Sequence, residues 1–315
     1  MSQTFFQELE IPEPDSNLEV GSGTHAEQTA ALLTSLENEL HAHRPDLVVV
    51  YGDVNSTLAA ALVAAKLGIP VSHVEAGLRS FDRSMPEEIN RVVTDHLAAL
   101  LFTTSNDATR NLTDEGLDPL SIHFVGNPMI DTLLNQLDRV SDESVKWRLG
   151  LVDTDYVVAT VHRPSNVDDI TEASRVLESL ASASQLLPVV LPLHPRGREK
   201  FEALGLLDIK DLIVTEPMRY REFLALLKDS SVVVTDSGGI QEETTALGIP
   251  CLTMRPNTER PVTLTSGTNQ LVSWDGLQEA LAFALARPAP IRPSLPPLWD
   301  GSAGERIAAV MASWF

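Results

Sequence analysis

A chain of 315 residues with 44 acidic against 23 basic side chains, and a formal charge of −21, lacks the basic surface that nucleic-acid binding requires. Its 43% hydrophobic content is ample for two cores, and its single cysteine, Cys251, excludes an internal disulfide framework and fits a reducing compartment. Only five basic residues are lysine, a balance that fits a salt-rich cytoplasm where screening relieves repulsion between carboxylates.

In chain order, the opening MSQTFFQELEIPEP is acidic and polar and shows no secretory signal. A glycine-containing loop at 21–24 precedes a helix over 27–41. Residues 47–51 (LVVVY) read as a strand buried on both faces. Gly52, Asp53, Val54, Asn55 and Ser56 follow, then a small-residue helix over 57–67, too short and too soon interrupted by Lys66 to span a membrane. That helix stops at Gly68-Ile69-Pro70, the expected glycine-then-proline ending, and leads into a strand at 71–74. Glu75 follows this strand, and Pro86-Glu87-Glu88 opens another helix. Helix and turn signals mix between 134 and 155, before strands at 157–160, 189–193 and 212–215.

The stretch 231–248, SVVVTDSGGIQEETTALG, then gives a buried strand, an Asp-Ser-Gly-Gly turn and a helix over 240–247. Gly248-Ile249-Pro250 ends it, and a strand at 251–254 follows. Near the end, Pro288, Pro290, Pro293, Pro296 and Pro297 form an extended connector. A final helix over 304–315 carries Ile307, Val310, Met311 and Trp314 as a core-packing stripe.

The plan strand, Asp-turn, helix, Leu-Gly-Ile-Pro, strand therefore occurs twice. Two copies far apart argue for an α/β fold of two doubly wound halves, with ligands bound beyond the carboxyl ends of the strands in the cleft between them. The expected division is 1–145, 146–290, and a connector with terminal helix over 291–315.

The Ser237-Gly238-Gly239 turn at a helix start suits a phosphate, because the first helical N–H groups lack internal partners and glycines admit close approach. A plain strand-to-helix turn has the same pattern. Glu243 lies where it can accept ribose hydroxyl protons. Asp53, Glu75, Glu87, His162 and His194 all fall at the ends of strands or starts of helices. Singly, each suits an ordinary cap, loop carboxylate or hydrogen-bonded histidine. Their convergence with a phosphate-type turn favours acid–base work on a phosphate-bearing substrate. No spacing suits a metal, a dinucleotide or a serine nucleophile.

The strings GDVNSTLAAALVAAKLGIPVSHVEAGLRS, PEEINRVVTDHLA, VGNPMIDTL, TVHRPSN, TDSGGIQEE and TERPVTLTSGTN closely resemble the non-hydrolysing UDP-N-acetylglucosamine 2-epimerases, in order over nearly the whole chain. The resemblance implies two Rossmann-like domains in the GT-B arrangement, the active site in the interdomain cleft and UDP (uridine diphosphate) held mainly by the second domain. It also implies interconversion of UDP-N-acetylglucosamine and UDP-N-acetylmannosamine by a cytoplasmic homodimer, with no cofactor, metal, nucleic acid or membrane partner. The carboxylates Asp53, Glu75 and Glu87, with His162, match the family's catalytic positions. Ser237, Gly238 and Gly239 match its diphosphate site, Glu243 its ribose glutamate, Met218 and Phe223 its base-binding segment, and Arg260 a further ligand contact. Arg163 and His194 match positions that contact a second, regulatory UDP-sugar in bacterial members. The resemblance sets Met1 after the family's first strand and GTRPE-type turn. Rivals are a hydrolysing epimerase, a GT-B glycosyltransferase and a non-catalytic nucleotide-sugar binder.

Overall fold

Ten short strands build two sheets in the computed structural model, which describes residue 6 and residues 8–140, 143–286 and 295–315; every described strand pairing is parallel. Pro288, Pro290 and Pro293 of the expected connector lie outside the described residues. The chain divides into two units, Glu13–Asp131 with Pro297–Phe315, and Met1–Pro12 with Thr132–Pro296.

In the first unit, α1 (His25–His43) starts ahead of the expected residue 27 because Thr24 and Glu27 cap it reciprocally. The Thr24 hydroxyl accepts from the Glu27 N–H at 3.2 Å and the Glu27 carboxylate from the Thr24 N–H at 3.0 Å. Then follow β1 (Val48–Tyr51), α2 (Asn55–Lys66), β2 (Val71–Ala76), α3 (Pro86–Leu97), β3 (Leu100–Thr103), α4 (Asn106–Asp114), β4 (Ile122–Phe124) and α5 (Pro128–Leu137), within which the division between the units falls. The sheet order is β1-β2-β3-β4. The expectation that 47–51 is buried on both faces fails at β1. Among the described residues it pairs only with β2, and Val49 and Tyr51 on its open face are exposed. Glu75 does not follow β2 but lies within it, at a break in the register to β3 between Val74 and Ala76.

The second unit contains α6 (Glu143–Leu149), β5 (Val157–Thr160), α7 (Pro164–Val167), α8 (Ile170–Ala183), β6 (Val189–Pro192), α9 (Pro195–Ala203), β7 (Leu212–Thr215), α10 (Tyr220–Lys228), β8 (Val232–Thr235), α11 (Gly238–Leu247), β9 (Cys251–Thr253), α12 (Val262–Thr265), β10 (Asn269–Leu271) and α13 (Leu277–Leu285). Its sheet order is β10-β9-β8-β5-β6-β7. The chain winds outward from β5 through β6 and β7, then crosses back to β8 and winds the other way. This is a doubly wound sheet with its switch point between β5 and β8, where such sheets open a ligand crevice beyond their carboxyl ends. Valines 157, 189, 232 and 234 are fully buried with Leu177 and Leu180 of α8, so the continuous apolar runs do mark strands covered on both faces here.

The last helix, α14 (Ala303–Trp314), belongs to the first unit. Its Ile307 packs with Val74, Leu100, Phe102 and Val125, and the fully buried Trp299 ahead of it donates its indole N–H to the Thr104 carbonyl at 2.9 Å. Gly126 accepts this return of the chain: a Cβ there would sit 2.0 Å from the Leu298 carbonyl oxygen. Val310 and Met311 join the same cluster, but Trp314 departs from the expected stripe. It is exposed at the helix end, edge-on to Phe315.

Candidate functional site

In the first unit the carboxylates gather around the ends of β1 and β2 and the start of α3. Asp53 sits in the turn after β1. Its carboxylate is ion-paired with the buried Arg91 guanidinium, and its backbone carbonyl accepts from Asn90 Nδ2 at 2.8 Å. Both partners come from α3, so the helix fixes Asp53 twice. Arg91 is itself held by Glu88 at 2.7 Å. Glu88 also accepts from Ser80 N–H and Oγ and from Phe81 N–H, each at 2.9 Å. These contacts, against the cost of burial, hold the Glu88 carboxyl below its usual range. Of the acidic pair that opens α3, then, Glu88 is the buried anchor and Glu87 the half-buried neighbour.

Glu75 adopts a left-handed backbone, φ 74°, inside a strand. A non-glycine residue in that region costs on the order of 1–3 kcal/mol, which the surrounding structure must outweigh. The bulge re-aims the side chain: a Cβ at Gly52 would come within 3.5 Å of the Glu75 carboxylate, which places that carboxylate beside the turn bearing Asp53.

In the second unit the site forms at the β5–β8 switch. Asp236, fully buried after β8, was not among the candidates from sequence, yet it organises this region. Its carboxylate accepts from His162 Nδ1 at 3.1 Å, from the His162 N–H at 3.0 Å, from the Arg163 N–H at 2.9 Å and from Asn166 Nδ2 at 2.8 Å. Burial opposes its ionisation, but these donors, His162 foremost, keep its carboxyl below the usual range. With Nδ1 committed to Asp236, the Nε2 of His162 is the nitrogen left for chemistry. Arg163, expected at a regulatory position, donates its Nε–H to the Asp236 carbonyl at 2.8 Å and so braces the same turn. His194 caps α9, its Nδ1 accepting from the Arg196 N–H at 3.2 Å, and its ring lies 5.7 Å from that of His162. Burial, then the neighbouring His162 and Arg196, depress its pKa.

Ser237 is the N-cap of α11, and Gly238 and Gly239 form its first turn, inside the helix rather than before it as expected. A side chain at Gly238 would have to displace the Arg260–Glu259 pair: a Cβ would lie 2.6 Å from both Arg260 Nη1 and Glu259 Oε1. Arg260 is paired with Glu259 and, at 2.9 Å, with Glu242, while Arg255 grips Glu259 at 2.7 Å. Two arginines and two glutamates thus form a buried, charge-balanced cluster under the helix start, and the arginines overcome burial to hold Glu259 far below its usual range.

Glu243, on the buried side of α11, accepts from the Tyr220 hydroxyl at 2.9 Å. Tyr220 lies between the half-buried Met218 and Phe223 of the expected base-binding segment, and Glu8 caps its helix by accepting from Tyr220 N–H and Arg221 N–H. Burial pushes the Glu243 carboxyl up to about 7 from 4.5, despite the Tyr220 bond. The folded protein therefore keeps a proton that the unfolded chain releases. Stability is lost as pH rises from 4.5 to 7, and the cost above pH 7 is on the order of 3 kcal/mol. Glu243→Gln is expected to raise the melting temperature of the unliganded protein at pH 8 and to leave it nearly unchanged at pH 5. Equal shifts at both pH values in thermal melts would contradict this origin.

The chain was compared with known proteins. Residues 1–312 match the model of a family described as UDP-N-acetylglucosamine 2-epimerase. The UDP-N-acetylglucosamine 2-epimerase of Methanocaldococcus jannaschii is 41% identical over 322 residues, covering 99% of this chain and 87% of the relative. The UDP-2,3-diacetamido-2,3-dideoxy-D-glucuronate 2-epimerase of Pseudomonas aeruginosa is 40% identical over 319 residues, again covering 99% and 87%. Among solved structures, the fold is similar to the Methanocaldococcus jannaschii UDP-GlcNAc 2-epimerase in complex with UDP-GlcNAc and UDP. The TM-score is 0.91 at 41% identity, over 99% of this chain and 88% of that one. The Neisseria meningitidis enzyme bound to UDP-GlcNAc gives 0.87 at 28% identity, over 99% and 89%.

Proposed function

Because this chain belongs to the UDP-N-acetylglucosamine 2-epimerase family, we propose that it interconverts UDP-N-acetylglucosamine and UDP-N-acetylmannosamine. The observation that carries the reading is the Asp236–His162 pair at the switch point, next to the glycine start of α11 with its buried arginines. An oriented imidazole beside a helix N-terminus suits a diphosphate that leaves and returns. In this reading Ser237, Gly238, Gly239 and Arg260 hold the diphosphate, Glu243 the ribose, and Met218 and Phe223 the base. Arg163 and His194 line the regulatory position, and the enzyme works as a cytoplasmic homodimer.

The C2 proton of the sugar is not alpha to a carbonyl, so direct abstraction is difficult. A carboxylate takes that proton as the C1–oxygen bond breaks, and the electron pair leaves with UDP to give 2-acetamidoglucal. UDP then re-adds to C1 while an acid protonates C2 from the opposite face. Two faces need two acid–base groups, which Asp53, Glu75 and Glu87 supply, and His162 offsets charge on the departing diphosphate. The near-equal identity to the Pseudomonas aeruginosa relative favours a second reading, the same C2 chemistry on a UDP-2,3-diacetamido uronate.

Incubation with each UDP-sugar in D₂O tests both. The first reading expects UDP-N-acetylglucosamine alone to yield the C2 epimer bearing deuterium at C2, with no acceptor added. Free sugar would indicate a hydrolysing enzyme, turnover only of the uronate the second reading, and binding without turnover a non-catalytic role. An epimer lacking deuterium would exclude elimination.

A further inference from the structure

The mechanism leaves a buried histidine unused. His73, in β2 and fully buried, places both ring nitrogens against acceptors. Nε2 lies 2.8 Å from the Gly52 carbonyl oxygen and Nδ1 2.6 Å from Asp95 Oδ1 of α3. A carbonyl only accepts, so Nε2 carries a hydrogen. The other oxygen of Asp95 already accepts from the Gly77 N–H at 3.1 Å and from Arg79 Nη1 at 2.7 Å, as a carboxylate does. Arg79 in turn grips Glu115 through two bonds, at 2.7 and 2.8 Å. With His73 doubly protonated, the row Glu115, Arg79, Asp95, His73, its last three members buried, alternates in sign and sums to zero. With His73 neutral, an imidazole lone pair would face a carboxylate at 2.6 Å.

We propose that His73 is a positioning residue for the acid–base turn, its imidazolium anchored by Asp95 and gripping the Gly52 peptide that immediately precedes Asp53. The Gly52 N–H is held at the same time by the Val74 carbonyl at 3.1 Å. Gly52 is thus held from β2 at both its N–H and its C=O, while Asn90 and Arg91 hold Asp53 from α3. Burial opposes the charge on His73; the Asp95 carboxylate, the Gly52 carbonyl and Glu75 of its own strand outweigh it and raise its pKa. Arg79 and Glu115 face it only through Asp95. The inference rests on the proposed role of Asp53, because a clamp one residue away governs where that carboxylate meets C2.

Two substitutions of equal charge separate the contacts. His73→Gln sets an amide N–H near the Nε2 position and keeps its reach to Gly52; His73→Asn sets it near Nδ1 and keeps only Asp95. His73→Asn is expected to lower kcat by ~10–100-fold, as a displaced catalytic group does, with KM little changed. His73→Gln should stay within about fivefold of the unaltered protein, the worth of one hydrogen bond. Equal kcat in the two folded variants would overturn the proposal. Should either variant fail to fold, nitrogen-15 NMR of the unaltered protein at pH 7.5 decides it: both ring nitrogens of one exchange-protected histidine carry protons, and a bare nitrogen there would overturn the clamp. Absence of turnover in the unaltered protein would count against the role of Asp53, and the NMR result would still decide the contact.

Discussion

Asp53→Asn is expected to lower turnover of UDP-N-acetylglucosamine by ~10²–10⁴-fold, the usual contribution of one acid–base group, while UDP affinity stays within about twofold. The amide matches the carboxylate in shape, so Asn90 keeps its bond to the residue 53 carbonyl. What disappears is the proton-accepting charge and half of the pairing of Arg91, which Glu88 still holds. The melting temperature should fall modestly, since a buried guanidinium loses one of two carboxylates. Glu75→Gln and Glu87→Gln follow the same logic with no effect on Arg91. Steady-state kinetics and UDP calorimetry on the same preparations separate the outcomes. Turnover within tenfold of the parent in a folded Asp53→Asn protein would reduce Asp53 to a structural partner of Arg91.

Gly239→Asp is expected to weaken UDP binding by at least ~100-fold, or nearly 3 kcal/mol. The substitution sets a side chain and a negative charge on the first turn of α11, where the proposed diphosphate draws on free N–H groups and the helix dipole. Aspartate in a first helical turn is tolerated, even favoured, by the helix itself, so the fold should survive. Gly238 is less suitable for this experiment because a side chain there would also disturb the Arg260–Glu259 pair. Calorimetry showing unchanged UDP affinity would place the diphosphate elsewhere.

Much of the second sheet was legible because valine runs buried on both faces carry their own signature, as VVVT in β8 does. The strands β3, β4 and β10 were not. Leu100 and Leu101 follow α3 with only Ala98 and Ala99 between, and no glycine or proline separates helix from strand. Residues 122–124 and 269–271 are three-residue strands, and Asn-Gln-Leu has no apolar run at all. The candidate residues that mark strand ends, Asp53, His162 and Ser237, were found for the same reason the strands were. Their supports were hidden. Asp236 acts through His162, 74 residues away, and Arg91 through Asp53, 38 away. Such pairings are created by register and winding, and one sequence does not print them. The left-handed backbone of Glu75 has no compositional mark either, since glycine or asparagine is the usual signal for that conformation.

The return of residues 297–315 to the first unit has a consequence for synthesis. The first sheet leaves the ribosome early, yet Ile307 and Trp299, which cover Phe102, Val125 and the Thr104 carbonyl, are translated only after all the strands of the second sheet. At ordinary elongation rates the wait is on the order of 10–30 s, during which that face stays open to water or to a chaperone. The second unit, whose strands are contiguous from 157 to 271, has no such debt and can close while translation continues. The nascent chain is therefore vectorial in reverse: its later unit matures first, and its earlier one is sealed only once residues 297–315 have emerged.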